Sequence, residues 1–406
     1  MATIVVAGGG IGGLATALAV VRHGHRAVVA ESAERFAELG AGIQLAPNGL
    51  HALDALGVGD LVRARAVHMD ELRLMDGVTG EHVTSLELTA RYRNRFASPY
   101  VVVRRAELHR ALLDSCRADR AIRLVAGFRV AGYEQDTRSA TILGTDERRL
   151  HGDVVVGADG VHSAVRRQLV ADGEPRVSGI TVYRTVIGME RVPEALRFPR
   201  SVVWWTGPGC HLVHYPIEGG RRLNLAASRD DGRVDVVAGA PAGHRHVLHA
   251  MAGIRGTGRR LLELGSDWRS WTLIDRDPVT RWTDGRAVLL GDAAHPMLHY
   301  AAQGACQALE DAVVLGAQLA PSAEGTLPER LARYARLRAD RTARIQLLAR
   351  ASTRLWHPGQ GQARTRNALL SAMSPDELHD YVAWMHGVRI ATGELVGTGH
   401  GSTGTA

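Results

Sequence analysis

Three short apolar segments of the sequence end at residues that could bind a ligand. TIVVA runs into a glycine-rich stretch that begins at Gly8, VVVGA runs into Asp159, and RAVLLG runs into Asp292. Strands of parallel sheet bring their carboxyl ends to one edge, and ligands of open α/β sheets bind in the crevice there. Each of the three segments is therefore a candidate for contact with a polar ligand.

The first segment carries the pattern Gly8-x-Gly10-x-x-Gly13 at the start of a helix-like stretch. Gly8 permits the tight turn out of the strand, Gly10 lets backbone approach a pyrophosphate, and Gly13 lets the helix pack closely on the strand. The helix N-terminus then offers free N–H groups to the phosphates. Glu31 ends the next strand, where a carboxylate can accept hydrogen bonds from a ribose diol. Because Glu31 repels a 2′-phosphate, the pattern favours the adenosine diphosphate part of FAD or NAD.

The second and third segments each place a carboxylate at the end of a strand, in Asp159-Gly160 and Gly291-Asp292. Either could be an ordinary turn when taken alone, since Asp-Gly is a common turn pair. After Asp292 come a proline, a run of small residues and a helix-like stretch. A carboxylate and a helix start directed at the same place indicate that something polar and anionic lies between them.

The elements that would position these residues fall into two styles. Apolar strands and helix-patterned stretches alternate from the N-terminus, with helices expected near 47–56 and 106–117, which is typical of a doubly wound parallel sheet. Residues 179–275 carry β-branched, alternating runs such as SVVWWTG and CHLVHYPI, which predict a largely antiparallel sheet. RAVLLGD and the long helical pattern of 327–356 return to the first style.

Composition excludes several classes of function. All 49 basic residues of the 406 are arginine, which excludes a Schiff-base lysine and a phosphate-binding P-loop lysine. The arginines are spread along the chain, so we expect no nucleic-acid partner. We expect no membrane span and, because the N-terminus lacks a secretory signal, a cytoplasmic protein. The three cysteines are widely spaced and HExxH, paired CxxC and Gly-x-Ser-x-Gly patterns are missing, so we expect neither a metal site nor a serine nucleophile.

Taken together, the three segments resemble the group A flavoprotein aromatic hydroxylases, the p-hydroxybenzoate hydroxylase-like family. The likeness runs from VVAGGGIGGLATALA to QGACQALEDAVVLG, and includes GAGIQLAPN (40–48) and VVVRRAELHRALL (101–113). The family's second motif matches Asp159, Gly160, Ser163 and Arg166, and its third matches Gly291, Asp292 and Pro296. AQGACQALEDA (302–312) and HLVHYP (211–216) look most like the 3-hydroxybenzoate 6-hydroxylase and salicylate hydroxylase branch.

The resemblance implies an α/β fold with a Rossmann-like FAD-binding domain of the GR2 type, an inserted and largely antiparallel substrate domain, and C-terminal helices. We predict a discontinuous FAD-binding domain of residues 1–72, 98–178 and 276–355. The β-rich substrate domain would comprise 73–97 and 179–275, and a C-terminal helical region with a flexible tail would comprise 356–406.

The resemblance also implies tight, non-covalent FAD. Asp292 would bind the ribityl hydroxyls, and Arg105 and Glu31 would hold other parts of the cofactor. The flavin ring would lie between Asp292 and the helix that starts near Gly304. Backbone N–H groups of that helix would stabilise negative charge on the reduced flavin; they belong to Gly304, Ala305 and Cys306.

Residues that would meet the substrate come from the strand CHLVHYPI. Alternation puts His211, Val213 and Tyr215 on one face and His214 on the other, so His214 is the alternative if the register differs by one. The resemblance points to His211 and Tyr215 with Gln303 as a further polar partner, and His211 would assist deprotonation of a phenol. Two more histidines flank the flavin turn and could be structural, and a tyrosine could face the pocket; they are His295, His299 and Tyr100.

The implied function is NAD(P)H-dependent hydroxylation of a phenolic aromatic acid by molecular oxygen, through a flavin C4a-hydroperoxide. The substrate could be 3-hydroxybenzoate or a related hydroxybenzoate, an amino-hydroxybenzoate, or another phenolic biosynthetic intermediate. An FAD-dependent oxidoreductase without oxygen insertion and a non-catalytic flavin-binding protein are the alternatives. The choice between NADH and NADPH stays open, and the region after 355 is a candidate for homodimer contact.

Overall fold

The computed structural model describes residues 1–37, 42–391 and 394–397. Its α-helices are α1 (Ile11–Arg22), α2 (Pro47–Ala55), α3 (Gly59–Arg63), α4 (Ala90–Phe96), α5 (Arg105–Ala118), α6 (Ala164–Leu169), α7 (His244–Ala250), α8 (Gly256–Leu264), α9 (Gly304–Gln318), α10 (Leu327–Trp356), α11 (Gln360–Ser371) and α12 (Pro375–His386).

Strands occur throughout the chain. They are β1 (Thr3–Ala7), β2 (Arg26–Ala30), β3 (Gly42–Leu45), β4 (Val67–His68), β5 (Glu71–Asp76), β6 (His82–Glu87), β7 (Val101–Arg104), β8 (Ile122–Val125), β9 (Val130–Gln135), β10 (Ala140–Gly144), β11 (Arg149–Gly152), β12 (Val154–Gly157), β13 (Arg176–Gly188), β14 (Ser201–Gly207), β15 (Cys210–Ile217), β16 (Arg222–Arg233), β17 (Ala238–Pro241), β18 (Arg269–Asp275), β19 (Thr283–Asp284), β20 (Ala287–Leu289), β21 (Val388–Ala391) and β22 (Glu394–Gly397).

A six-stranded sheet of order β19-β20-β12-β1-β2-β8 forms the nucleotide-binding half of the fold. Its strands are parallel except for the β19–β20 pair. The apolar runs of β12 and β20 are fully buried, as strands of a parallel sheet covered on both faces must be. The predicted α/β class is confirmed. The order also places β20 beside β12 and β1, although about 280 residues of chain separate β1 from β20.

An eight-stranded sheet of order β17-β18-β13-β16-β15-β14-β5-β6 forms the other half. All of its pairs are antiparallel except β14 with β5. It takes strands from 71–87 and 176–275, close to the segments predicted as the substrate domain, whose division from the rest stays a prediction. One face of this sheet packs with α7 and α8 in a second hydrophobic core.

Three small antiparallel sheets were not expected from the sequence. β9, β10 and β11 form one, β3, β7 and β4 form another, and β21 pairs with β22. The long pattern at 327–356 is one helix, α10, and α11 and α12 follow it as expected. The glycine-rich end of the chain, predicted to be flexible, lies outside the described residues from 398 onward. In the part of the chain that the structure describes, no helix combines the length and apolar character needed to cross a membrane.

Candidate functional site

A cavity of about 600 Å³ lies between the carboxyl edge of the six-stranded sheet and one face of the eight-stranded sheet. Most of the residues predicted for cofactor and substrate lie around it: Gly8, Gly10, Glu31, Arg105, Asp159, Gly160, Tyr215, Gly291, Asp292, Gln303, Gly304 and Ala305. Four predicted residues are not among those that line it: Gly13, His211, Pro296 and Cys306. The three segments identified in the sequence therefore share one cleft.

The glycine-rich turn leaves the start of α1 open to the cavity. Gly8 has φ +103°, and a Cβ there would lie 2.3 Å from the Ala158 carbonyl oxygen. A Cβ at Gly13 would lie 1.9 Å from the Gly8 oxygen, so Gly13 acts through close helix packing and need not touch a ligand. No side chain caps α1, and Glu31 Oε2 accepts from the Gly9 N–H at 2.9 Å. The first-turn N–H groups of α1 remain available for phosphate oxygens.

Asp159 borders the cavity while its carboxylate organises the start of α6. It accepts from the Ser163 hydroxyl and from the Ala164 N–H at 2.7 Å. Burial raises the pKa of Asp159 although these hydrogen bonds oppose the rise. Gly160 beside it has φ +79°, and a Cβ there would meet no atom within 4 Å. This segment thus presents backbone and open space to the cavity.

The turn at Gly291-Asp292 is fixed by hydrogen bonds to a side chain of α9. Gly291 has φ +60°, and its N–H donates to Asp311 Oδ2 at 3.0 Å. His295 Nε2 lies 2.6 Å from the same oxygen. Although burial raises it, His295 and Arg338 lower the pKa of Asp311 to about 2. Asp311 is therefore an anion that fixes the turn, which leaves the exposed Asp292 carboxylate at the cavity wall.

The N-terminus of α9 points its free backbone groups toward the same space. Gln303 is the N-cap residue, and no side chain caps the helix. A Cβ at Gly304 would meet no atom within 4 Å. The Cys306 side chain instead packs against α2, where a Cβ at Gly49 would lie 2.7 Å from its sulfur. Burial raises the pKa of this thiol to about 12, so it is not a nucleophile.

The carboxamide of Gln303 has a fixed orientation. Its Oε1 accepts from Asn48 Nδ2 at 2.9 Å and from Gln307 Nε2 at 3.0 Å. Gln307 Oε1 accepts from the Arg338 guanidinium, which can only donate, and Asn48 Nδ2 donates to the Glu310 carboxylate at 2.6 Å. Two independent chains of hydrogen bonds therefore make Gln303 Oε1 an acceptor. Its NH₂ group has no partner among the described residues and remains a donor for the cavity.

The strand β15 separates its side chains as the alternation predicts. Val213 and Tyr215 line the cavity, and the Tyr215 hydroxyl donates to the Gly42 carbonyl at 2.8 Å. His211 lies on the same face but sits behind His299, with its ring 6.1 Å from the His299 ring. His211 Nδ1 is 2.8 Å from Nε2 of His357. Burial and the neighbouring histidines place the pKa of His211 well below its ordinary value, so its ring is neutral.

The alternative histidine, His214, lies on the opposite face of β15. It accepts from the Trp205 indole N–H at 3.0 Å, within the second hydrophobic core. Burial lowers the pKa of His214 to about 3. Tyr100 is also set back from the cavity and donates to Gln44, which lines it, at 2.7 Å.

Several cavity residues were not proposed from the sequence, among them Arg184, Asn224 and His299. His299 was regarded as structural, although its place between Pro296 and the small-residue turn was a usable signal. Arg184 lies on β13 and Asn224 on β16. The sequence of neither strand indicates which of its two faces lines the cavity. The contact between the two sheets decides that.

These residues fit a flavin dinucleotide. Free N–H groups at the start of α1 suit a pyrophosphate, Glu31 suits a ribose, and Asp292 suits a polyhydroxyl chain. The open space at Gly304 leaves room for a flat ring against the N-terminus of α9. The fold and the site together define an α/β flavoprotein with a Rossmann-like parallel sheet and a separate, largely antiparallel sheet.

A family model described as an FAD binding domain matches residues 1–351, and the chain belongs to this family. It is 42% identical over 385 residues to a 3-hydroxybenzoate 6-hydroxylase of Aquipseudomonas alcaligenes, covering 95% of this chain and 97% of the relative. It is 36% identical to a 3-amino-4-hydroxybenzoate 2-monooxygenase of Streptomyces platensis, covering 96% of each. The predicted class, an FAD-dependent aromatic hydroxylase, is confirmed.

Solved structures agree with the fold. HpxO of Klebsiella pneumoniae, complexed with FAD and uric acid, superposes with a TM-score of 0.81 at 28% identity, over 93% of this chain and 95% of that chain. A salicylate hydroxylase in complex with its substrate superposes with a TM-score of 0.81 at 23% identity, over 95% of each chain. The second likeness concerns the fold alone.

Proposed function

We propose that the protein hydroxylates a phenolic aromatic acid of the 3-hydroxybenzoate type, using NAD(P)H, FAD and molecular oxygen. One oxygen atom enters the ring, the other leaves as water, and NAD(P)H supplies the two electrons. The observation that carries the proposal is a single cavity with nucleotide-binding groups at one end and Tyr215 and Gln303 at the other. The relative that is 42% identical supports the hydroxybenzoate as substrate class.

FAD, when bound, supplies hydride acceptance and oxygen activation, and the chain supplies binding, charge stabilisation and exclusion of water. Asp292 would hold the hydroxyls of the ribityl chain. The N–H groups at the start of α9, from Gly304, Ala305 and Cys306, would face the edge of the ring that becomes negative on reduction. Arg105 and Glu31 would hold the rest of the nucleotide.

On the substrate side, the NH₂ group of Gln303 would donate to the phenolic oxygen and favour its ionised form. Tyr215 would form one wall, held in place by its hydrogen bond to Gly42. His211 lies one ring behind the wall, packed against His299, whose ring lines the cavity, so any assistance it gives to loss of the phenolic proton would be indirect. Burial lowers the pKa of both histidines, that of His299 to about 3, so both rings are neutral in the folded protein.

The proposal is tested with purified protein and a panel of aromatic acids. The protein should carry yellow flavin absorbance, and a hydroxybenzoate should accelerate oxidation of NADH or NADPH. The product made under ¹⁸O₂ should contain one labelled oxygen atom. A flavin-containing protein that oxidises NAD(P)H without labelling any product would instead be a reductase or dehydrogenase.

Replacement of His211 tests whether this residue assists loss of the phenolic proton. His211→Ala should slow product formation about 10²-fold, while reduction of the flavin by NAD(P)H should change by less than threefold, because only the hydroxylation step needs the phenolate. Stopped-flow absorbance separates the two steps. His214→Ala, on the opposite face, is the control, and equal hydroxylation rates in the His211 variant and the wild type would remove His211 from this role.

An amino-hydroxybenzoate is the second candidate substrate. It is supported by the relative from Streptomyces platensis, whose name carries that activity and which covers 96% of the chain. Including 3-amino-4-hydroxybenzoate in the same panel decides between the two by the ratio of kcat/KM. We also propose that the enzyme is cytoplasmic. We further propose that it forms a homodimer through the region after 355; light scattering of the complete chain and of a chain truncated after 355 would test the dimer.

A further inference from the structure

Arg184 is an arginine of β13 whose side chain lines the cavity. Its guanidinium lies over the ring of Trp271, with 5.6 Å between Cζ and the ring centroid. Among the residues that the structure describes, no carboxylate pairs with it and no hydrogen bond of the guanidinium is found. Five donor groups and a full positive charge are thus directed into a space that the protein leaves to a ligand.

An unpaired arginine in such a place is costly. Burial lowers the pKa of Arg184, which reports the loss of water around the cation. A charge taken out of water is tolerated in proteins when an opposite charge with good hydrogen-bond geometry joins it. The other arginines deep in this chain obey that rule, as Arg338 pairs with Glu310 and Asp311, and Arg166 pairs with Asp172.

The surroundings of Arg184 suit a flat ring that carries one negative group. Register places Arg184, Ala226 and Val213 directly across β13, β16 and β15, and all three line the cavity. Ala226 and Val213 are small and apolar, so they form a floor on which an aromatic ring can lie. Arg184 then stands at one end of that floor, beyond the ring.

We propose that Arg184 binds the carboxylate of the aromatic acid, in a two-point contact between guanidinium and carboxylate. Arginine matches a carboxylate bidentately, with two parallel N–H···O hydrogen bonds. The inference rests on the proposed function, because it takes that function's substrate as its ligand. It assigns to Arg184 the selection of aromatic acids over neutral phenols of the same shape.

The cofactor is the other source of an anionic group, and the cavity offers it different partners. The pyrophosphate is expected at the start of α1, beside Gly10, whereas Arg184 lies on β13 of the other sheet. Two other arginines line the cavity, Arg105 and Arg129. Arg105 would hold the nucleotide, and Arg129 follows Phe128, whose N–H donates to the Glu31 carbonyl at 2.8 Å. Arg129 therefore belongs to the nucleotide end and provides a matched control.

The test compares binding of three probes to the FAD-loaded protein, followed by the change in flavin absorbance: 3-hydroxybenzoate, 3-hydroxybenzamide and benzoate. Arg184→Met should weaken the binding of both carboxylates about 10- to 100-fold and change the binding of the amide by less than threefold. Arg184→Lys should recover part of the loss, because a lysine keeps the charge without the planar fork. Arg129→Met should leave the preference for acid over amide unchanged.

Three outcomes would overturn the assignment. Equal weakening of acid and amide would mean that Arg184 only shapes the cavity, and a loss of FAD affinity with unchanged acid preference would give Arg184 to the cofactor. Failure of the wild type to bind benzoate would also overturn it. Wild-type protein that binds benzoate through Arg184 but hydroxylates no member of the panel would overturn the proposed function and leave the carboxylate site standing.

Discussion

At the scale of single residues, the orientation of one carboxamide determines what the cavity can recognise. Gln303 Oε1 is occupied by two amide donors, so the group that it offers to a ligand is its NH₂. A donor at this point favours a phenolate or another acceptor oxygen over an aniline nitrogen. Sequence reasoning named Gln303 but not its polarity, because that polarity depends on Asn48 and Arg338, which are distant in the chain and carry no motif.

Asn48 does not line the cavity, but its replacement should still weaken the binding of a phenol, because Asn48 helps to fix the orientation of Gln303. Asn48→Leu removes one of the two donors that fix Gln303, and affinity for a hydroxybenzoate should fall about tenfold, the value of one hydrogen bond of ~1.4 kcal/mol. Flavin-absorbance titration gives the dissociation constant, and FAD content should equal that of the wild type. Asn94→Leu, at an exposed position, is the control. An unchanged affinity in the Asn48 variant would show that Gln307 alone fixes the carboxamide.

The motifs predicted several glycine positions, and the structure separates them into two groups. Some are required for packing of the chain itself, and others leave space for the cofactor. A Cβ at Gly13 collides with backbone, whereas a Cβ at Gly304 points into open space. Gly304→Val should leave the apoprotein as stable as the wild type, because nothing in the protein lies within 4 Å of the new Cβ. The side chain would occupy the cavity, so we expect FAD affinity to fall at least tenfold.

Fluorescence titration of free FAD into apoprotein measures this effect, and thermal unfolding of the apoprotein checks the fold. Gly361→Ala is the control, because a Cβ there also meets nothing within 4 Å and Gly361 does not line the cavity that would hold the cofactor; this variant should bind FAD normally. Normal FAD affinity in the Gly304 variant would place the flavin ring elsewhere.

At the scale of elements, two helices hold the turn that carries Asp292. α10 supplies Arg338, which pairs with Glu310 and Asp311 on α9, and Asp311 in turn binds the Gly291 N–H. The pattern of 327–356 predicted the extent of α10, because its helical spacing is continuous. It could not predict that two consecutive acids of α9 are buried, since that burial exists only where α10 covers them.

Removal of Arg338 should be strongly destabilising. Arg338→Leu leaves two carboxylates buried with one cation fewer, and breaking a buried pair in this way costs about 3 to 5 kcal/mol of unfolding free energy. Denaturant unfolding of the apoprotein measures the loss. Arg336→Leu changes an exposed arginine of the same helix and should stay within about 0.5 kcal/mol of the wild type. A similar small change in both variants would show that Glu310 and Asp311 are satisfied without Arg338.

The small sheets show where prediction of strand pairing fails. β3, β7 and β4 have four, four and two residues, and their pairing depends on contacts between distant segments. Runs this short have too few residues for an alternation to be detected. The long strands β13, β15 and β16 could be foreseen because alternation and β-branched residues persist over eight or more positions.

At the scale of the whole molecule, the buried histidines make stability depend on pH. Burial lowers the pKa of His214, His299 and His386 to about 3 and that of His357 to about 4. Each stays neutral in the folded protein, while its unfolded counterpart takes up a proton below about pH 6.5. The unfolded state then binds more protons, so stability falls as the pH falls from about 6.5 toward 4.

Replacement of one of these histidines should reduce by one the number of protons taken up on unfolding at acidic pH. We expect His214→Gln, away from the cavity, to lower the slope of unfolding free energy by ~1.4 kcal/mol per pH unit between pH 6 and 4.5. Denaturant unfolding at a series of pH values gives the slope. His82→Gln, at an exposed position, should leave it unchanged. A His214 variant with the wild-type slope would mean that His214 is protonated or solvated in the folded state.

The order of the six-stranded sheet also bears on how the protein matures during its synthesis. The glycine-rich turn emerges first, but Asp292 and the start of α9 arrive only after about three-quarters of the chain has been translated. At elongation rates of about 5 to 20 residues per second, roughly 15 to 60 seconds pass before every contact for the flavin exists. Nascent chains arrested before residue 300 should therefore retain no FAD on the ribosome, whereas chains released at full length should acquire it.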